Sequence, residues 1–332
     1  MAGQRDASPS RREQREASEQ RQRRIVIGVI VGLVGVALVV VAGLYVTQYR
    51  APRAHVLTVE GRDYNAAFVA RRGVYLALFE TGFRDQGSTP LAETVVELLI
   101  DEAVLRAAAP ELVGAVGDAE VEDDLMGRFG LTQVEGRAAF AELLQTRIQA
   151  SGLSRDEFYE LAATSLLRSL LTDQFTEAVD LSASQVRLSR IRLVERAEAE
   201  EIRELLTEGG DFAELALERS ADSAHQLDGG DLGWLIVAEL EPEVAEAVAE
   251  LEPDELAPVL ESGIFFDLYL LVEREPEREL SAAQVAAQVA ERLEAWLDEG
   301  RAGAGAESDL SVRESDWIGT RIVGDVSNAL GG

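Results

Sequence analysis

Residues 25–46 read IVIGVIVGLVGVALVVVAGLYV, an apolar run with no charge. A bilayer core of about 30 Å is crossed by about 20 apolar residues at helical rise. The run therefore predicts a membrane-spanning helix. A cleaved signal peptide is the alternative, but its apolar region usually covers about 7–15 residues, with a small-residue cleavage site behind it. This run is longer and follows a long polar leader, so it reads as an uncleaved anchor. Orientation follows the arginine bias. The leader 1–24 holds seven Arg (5, 11, 12, 15, 21, 23 and 24) and four acids. From totals of 31 basic and 61 acidic residues, 24 and 57 remain outside it, a net −33. The leader is expected in the cytoplasm and disordered, since it has almost no apolar side chains. Everything after Val46 is expected outside the cytoplasmic membrane.

Charge and composition narrow the function. The net charge is −30 and all the cationic residues are arginine. That balance argues against a nucleic-acid partner, which would require phosphate neutralisation. There is no cysteine, so disulfides, thiol nucleophiles and thiolate zinc sites are excluded. His55 and His225 are the only histidines, too few for a histidine-rich metal site. No metal and no cofactor is expected. The acids are spread along the chain and read first as a solubility feature suited to high salt. Steering of basic partners is the other reading.

After a short tether, Val56-Leu57-Thr58-Val59 predicts a strand with a turn at Gly61, and the pattern from Tyr64 to Phe79 predicts a helix. Ser88-Thr89-Pro90 predicts a helix start. The segments through Leu98, Met126, Leu144 and Phe158 predict further helices, and Ser154-Arg-Asp-Glu157 has capping-box spacing. Residues 47–180 are thus read as a helical domain. From Gln185 the pattern changes to β-α-α-α-β-β, ending in strands at Pro258–Leu260 and Phe265–Val272. That order implies a small α+β domain, residues 181–276, with helices packed on a sheet. Asp211 is placed to cap one of its helices. Ser281-Ala-Ala-Gln284 is a second capping box, opening a helix with Val285, Val289, Leu293 and Trp296 on its apolar stripe. AGAGAESD (302–309) reads as a linker. The segment holding Trp317, Ile318, Ile322 and Val323 is too apolar to float. Residues 277–332 are therefore expected to return to the helical domain.

The second domain resembles the parvulin-type peptidyl-prolyl isomerases. The resemblance is carried by Gln185-Val186-Arg187, Gly210-Asp211-Phe212-Ala213-Glu214-Leu215-Ala216, Ser220 with Asp222, and Gly229-Gly230-Asp231-Leu232-Gly233-Trp234, in that order. The helix ending at Leu251, Pro258-Val259 and the strand into Val272-Glu273 complete it. With an anchor, a helical segment and a returning C-terminal helix around it, the chain is similar to the SurA/PrsA group of bacterial extracytoplasmic foldases and chaperones. The resemblance implies an FKBP-like α+β fold for the second domain. It also implies a client-binding helical part, and unfolded or proline-containing exported polypeptides as partners.

X–Pro bonds rotate slowly because the amide has partial double-bond character, with a barrier of about 18–20 kcal/mol. A catalyst seats the proline ring on apolar side chains and places polar groups around the rotating carbonyl. Parvulins usually use two histidines, an Asp or Cys, and apolar side chains. By the resemblance, Arg190 and Asp267 stand at the two histidine positions and Asp222 keeps the third polar position. Leu240 and Val244 stand where the proline ring is seated. Opposite charges predict that Arg190 and Asp267 form a cross-strand ion pair. Two unrelated substitutions are the other reading. His225, in AHQLDGG near Asp222, reads first as a solvated loop histidine; a substitute catalytic base is the other reading. Three functions stay open: a foldase or chaperone with a degenerate isomerase domain, an active isomerase, and a structural subunit holding a membrane partner.

Overall fold

The computed structural model describes residues 28, 30, 32–80, 90–131 and 136–331. The leader, Ile25–Ile27 of the apolar run, and the Ser88-Thr89 cap lie outside them. The chain divides into two compact units, residues 1–171 with 294–332, and residues 172–293.

In the first unit, α1 (Gly32–Arg53) is long and apolar enough to cross a bilayer and is not covered by the rest of the protein. It runs past Val46, so the helix continues for about two turns beyond the uncharged run and carries Tyr49, Arg50 and Arg53. β1 (His55–Val59) and β2 (Arg62–Asn65) form a hairpin. Its turn places Glu60 and Gly61 at φ +50° and +69°, the left-handed pair that matches strand twist in a two-residue loop. Tyr64 therefore belongs to β2, and helix α2 (Ala66–Phe79) starts two residues later than the pattern predicts. Asn65 sets that start by accepting the Phe68 N–H at 2.9 Å. Then come α3 (Leu91–Val113), α4 (Asp118–Arg128), α5 (Gly136–Ser151) and α6 (Arg155–Glu177). The Ser154 box forms as predicted: Glu157 accepts from the Ser154 N–H at 2.7 Å, and the Ser154 hydroxyl accepts from the Glu157 N–H at 3.2 Å. Tyr75, Leu125, Phe140, Leu144 and Phe158 close the core of this bundle.

The chain re-enters this unit through the second half of α10 (Ala282–Gly303). Arg301 there forks onto buried Asp101 of α3 at 2.6 and 2.9 Å. The segment read as a linker contains a strand, β7 (Glu307–Ser308), which pairs with Leu57 and Thr58 of β1. α11 (Val312–Ala329) follows and buries Ile318, Ile322 and Val326. These lie at i, i+4 and i+8, one helical face. A Cβ at Gly73 of α2 would overlap the Ile322 side chain, so the glycine allows α2 and α11 to close on each other.

In the second unit the sheet order is β4-β3-β6-β5, antiparallel throughout. β3 (Ser182–Leu193) and β6 (Phe265–Glu279) are central, and β4 (Asp231–Ile236) and β5 (Leu260–Ser262) are the edges. The sheet has one strand more than the pattern predicts. β4 comes from the Asp-Leu-Gly-Trp stretch, too glycine-rich to show alternation. Side chains alternate across a strand. Ile191, Leu193 and Leu268 therefore pack with α7 (Arg196–Thr207) and α8 (Phe212–Arg219) on one face. Val186, Leu188, Tyr269 and Leu271 pack with Val244 and Val248 of α9 (Pro242–Ala249) on the other. Asp211 caps α8 by accepting the Glu214 N–H at 2.9 Å.

Candidate functional site

The period of two that buries Leu188 on the α9 face sends Arg190 and Arg192 out on that same face. β6 supplies Tyr269 opposite Arg190 and Asp267 opposite Arg192. The Arg190–Asp267 pair predicted from sequence is therefore not formed. The register places Asp267 two cross-strand pairs further along, the next on the same face. Its carboxylate is fully buried and takes a two-point fork from Arg192, Nε to Oδ1 at 2.8 Å and Nη2 to Oδ2 at 2.7 Å. Arg190 turns instead to Asp222, which accepts from its Nε at 3.1 Å and also from its Nη2. Tyr269 lies opposite it on β6. Arg192 and Tyr269 are thus site residues that sequence reasoning missed. Alternation along Arg190-Ile191-Arg192 was the available signal, since it puts the two arginines on one face.

Asp222 reaches β3 because residues 220–230 are fastened to it at both ends. Near one end, the Ser220 hydroxyl accepts the Arg192 N–H at 3.1 Å, and the Ala221 N–H donates to the Arg192 carbonyl at 2.7 Å. At the other, the Arg190 N–H donates to the Gly230 carbonyl at 2.8 Å. Gly230 sits at φ +81°, and a Cβ there would overlap the Arg190 carbonyl oxygen. Nδ1 of His225, the residue read as solvated, lies 3.0 Å from the Asp222 oxygen that Arg190 also uses. Asp222 is thus held between a guanidinium and an imidazole.

Burial pushes the Asp222 carboxyl up, but the hydrogen bonds from Arg190 and His225 outweigh it and hold it below the ordinary carboxylate value. Arg192 is raised by its bond to Asp267. Burial raises Tyr269. The sign for Asp222 sets a pH dependence: its contribution is present above the unfolded value of about 3.9 and is lost as pH falls through the lower folded value. Melting curves of the native chain and Asp222→Asn are therefore expected to converge below about pH 3.9 and separate above it, the native chain being more stable. A gap that stays constant through that range would contradict this.

Leu240 and Val244, the residues expected to seat a proline ring, lie together in the apolar cluster with Tyr269 and Leu188. Val244 is buried. The site therefore joins an apolar wall to two arginine–aspartate forks, whose donors are largely engaged with protein carboxylates. A guanidinium beside such a wall can hydrogen bond a carbonyl, but donors bound to Asp222 must be released first.

A separate cavity of about 500 Å³ opens in the first unit. Its walls include Tyr75 and Phe79 of α2, Leu98 and Leu105 of α3, and Phe129 and Leu161. Arg147 lies over both the Phe79 and Phe129 rings, at 4.9 and 4.5 Å. Arg72, Arg128, Asp101 and Glu102 also line it, so the cavity combines aromatic and apolar walls with charged ones.

Comparison with known proteins follows the same division. Residues 190–273 match the Rotamase family, the PPIC-type PPIase domain. Foldase protein PrsA of Halalkalibacterium halodurans is 30% identical over 173 residues, covering 50% of this chain and 48% of that protein. The periplasmic chaperone PpiD of Escherichia coli K12 is 34% identical over 96 residues, covering 29% of this chain and 15% of that protein. The match thus spans about half the length of PrsA and less of PpiD. The crystal structure of peptidylprolyl isomerase PrsA from Bacillus anthracis aligns with a TM-score of 0.38 and 16% identity, over 71% of this chain and 97% of that one. The chain carries a parvulin-type domain, with homologues among the PrsA, SurA and PpiD foldase chaperones.

Proposed function

We propose that this chain, built around a parvulin-type domain, is a membrane-anchored extracytoplasmic foldase. In this reading it binds unfolded exported polypeptides, and its prolyl isomerase centre is degenerate. The observation that carries the second part is the double fork, Arg190 on Asp222 and Arg192 on Asp267. By the family resemblance, Arg190 and Asp267 of these forks stand at the two histidine positions. Donors that a rotating amide would use are bound to carboxylates, and the proline seat is lined by a valine. Anchoring is supported by the length and apolarity of α1 and by the arginine bias of the leader. Client binding is supported by the cavity of the first unit, lined by aromatic, apolar and charged side chains, and by homology to chaperones.

The test is a prolyl isomerisation assay on the full chain in detergent, beside an aggregation assay with an unfolded client. The native chain is expected to leave the rate within about twofold of the uncatalysed reaction, whose barrier is ~18–20 kcal/mol. It is expected to suppress client aggregation all the same. Clear catalysis that Arg190→Ala abolishes would instead establish an active isomerase using the Arg190–Asp222 pair. Failure to suppress aggregation would remove the chaperone reading.

A further inference from the structure

We propose that the outer foot of α1 is a binding site for the phosphate of an anionic lipid headgroup. The inference rests on the reading of α1 as a membrane anchor. A cavity of about 350 Å³ lies where α1 ends, lined by Tyr45, Tyr49, Arg50 and Arg53 together with Arg313 and Glu314 of α11. Three guanidinium groups against one carboxylate make it a positive site on a part of the chain that is otherwise net −33. Acid-rich surface repels an anionic membrane, so a basic cluster at this one height stands against the general charge.

The arginines are available. Among the described residues the guanidinium groups of Arg50 and Arg313 make no hydrogen bond or ion pair. Arg53 donates only to the Tyr49 carbonyl, at 3.0 Å, and lies 4.2 Å over the Tyr49 ring. Tyr49 in turn stacks on Tyr45 at 5.3 Å. Planar guanidinium forks match phosphate oxygens in pairs. α11 is held at this height by the Trp317 indole N–H, which donates to the Thr47 carbonyl at 3.2 Å.

Depth agrees with a headgroup. The uncharged run ends at Val46, and Arg50 and Arg53 follow four and seven residues later. At helical rise they stand about 6 and 10 Å beyond the hydrocarbon boundary. The headgroup layer on one side is about 5–8 Å thick, so Arg50 stands within it, and Arg53 starts just beyond it but reaches back to the Tyr49 carbonyl. Tyr45 and Tyr49 are about half exposed and occupy the interface level where tyrosine is enriched.

The full chain, purified in detergent, would be reconstituted into vesicles of phosphatidylcholine alone or with added phosphatidylglycerol. Flotation reports insertion, and mass spectrometry of re-extracted protein reports the lipid retained. The native chain is expected to float with both vesicles and to retain phosphatidylglycerol about tenfold over phosphatidylcholine. Arg50→Gln/Arg53→Gln/Arg313→Gln is expected to float equally and melt at the same temperature, yet lose the preference. A chain that floats but retains both lipids alike overturns this inference alone. A chain that floats with neither overturns the anchor and the inference together. Displacement of the lipid by inorganic phosphate at comparable concentration would show a phosphate site without a lipid role, and would also overturn the assignment.

Discussion

Arg192→Leu is expected to destabilise the 172–293 unit by about 3–5 kcal/mol, because it leaves the Asp267 carboxylate buried without its partner. Asp267 is fully buried, and both its oxygens accept from Arg192. The reverse substitution should cost less. The Arg192 side chain keeps 24% of its surface exposed against 1% for Asp267, so after Asp267→Leu the guanidinium can turn to water. The double variant Arg192→Leu/Asp267→Leu is expected to recover most of the loss, since two apolar side chains can replace a buried ion pair with little net cost. Urea unfolding of the four proteins reads the cycle. A cost below about 1 kcal/mol for Arg192→Leu would mean that Asp267 is satisfied without it.

Gly230→Ala is the second large effect. At φ +81° an L side chain is strained, and the added carbon overlaps a backbone oxygen, which cannot rotate away. Strain and overpacking each cost about 1–3 kcal/mol. The same shift would pull at the Arg190-to-Gly230 hydrogen bond and release the loop that presents Asp222. Gly233 is the control. It also has positive φ, +71°, but a Cβ there meets nothing within 4 Å, so Gly233→Ala should cost only the backbone strain, about 1–2 kcal/mol. Thermal melts of the two variants should differ clearly. Equal melting temperatures would show that the loop gives way.

What was legible in the sequence was mostly local. The Ser154 and Ser281 boxes, the Asp211 cap and the strand at Val56 all depend on residues within a few positions of one another, and all form. The parvulin motifs were legible because GDFAELA and GGDLGW each carry a turn and its flanks together. What failed was non-local. The partner of Arg190 depends on the β3–β6 register, which sets Arg190 opposite Tyr269 and Arg192 opposite Asp267, and counting along a single strand carries no cross-strand register. β7 was hidden because its pairing, two residues long, depends on β1 at the other end of the chain. His225 is a local case: three residues from Asp222, it stays partly exposed yet turns Nδ1 onto that carboxylate.

The first unit takes its strands and helices from both ends of the sequence. β1 waits for β7, α2 waits for α11, and Asp101 waits for Arg301. Because synthesis proceeds from the N-terminus, that unit is the earliest to be made and the last to be completed. The parvulin-type unit, all of whose strands lie between 172 and 293, can mature in the interval. Until α11 arrives, the α2 face around Gly73 stays uncovered, and closing so long a loop carries its own entropic cost. A chain made in this order has a nascent stage during which it presents apolar surface of the kind that chaperones shield in others.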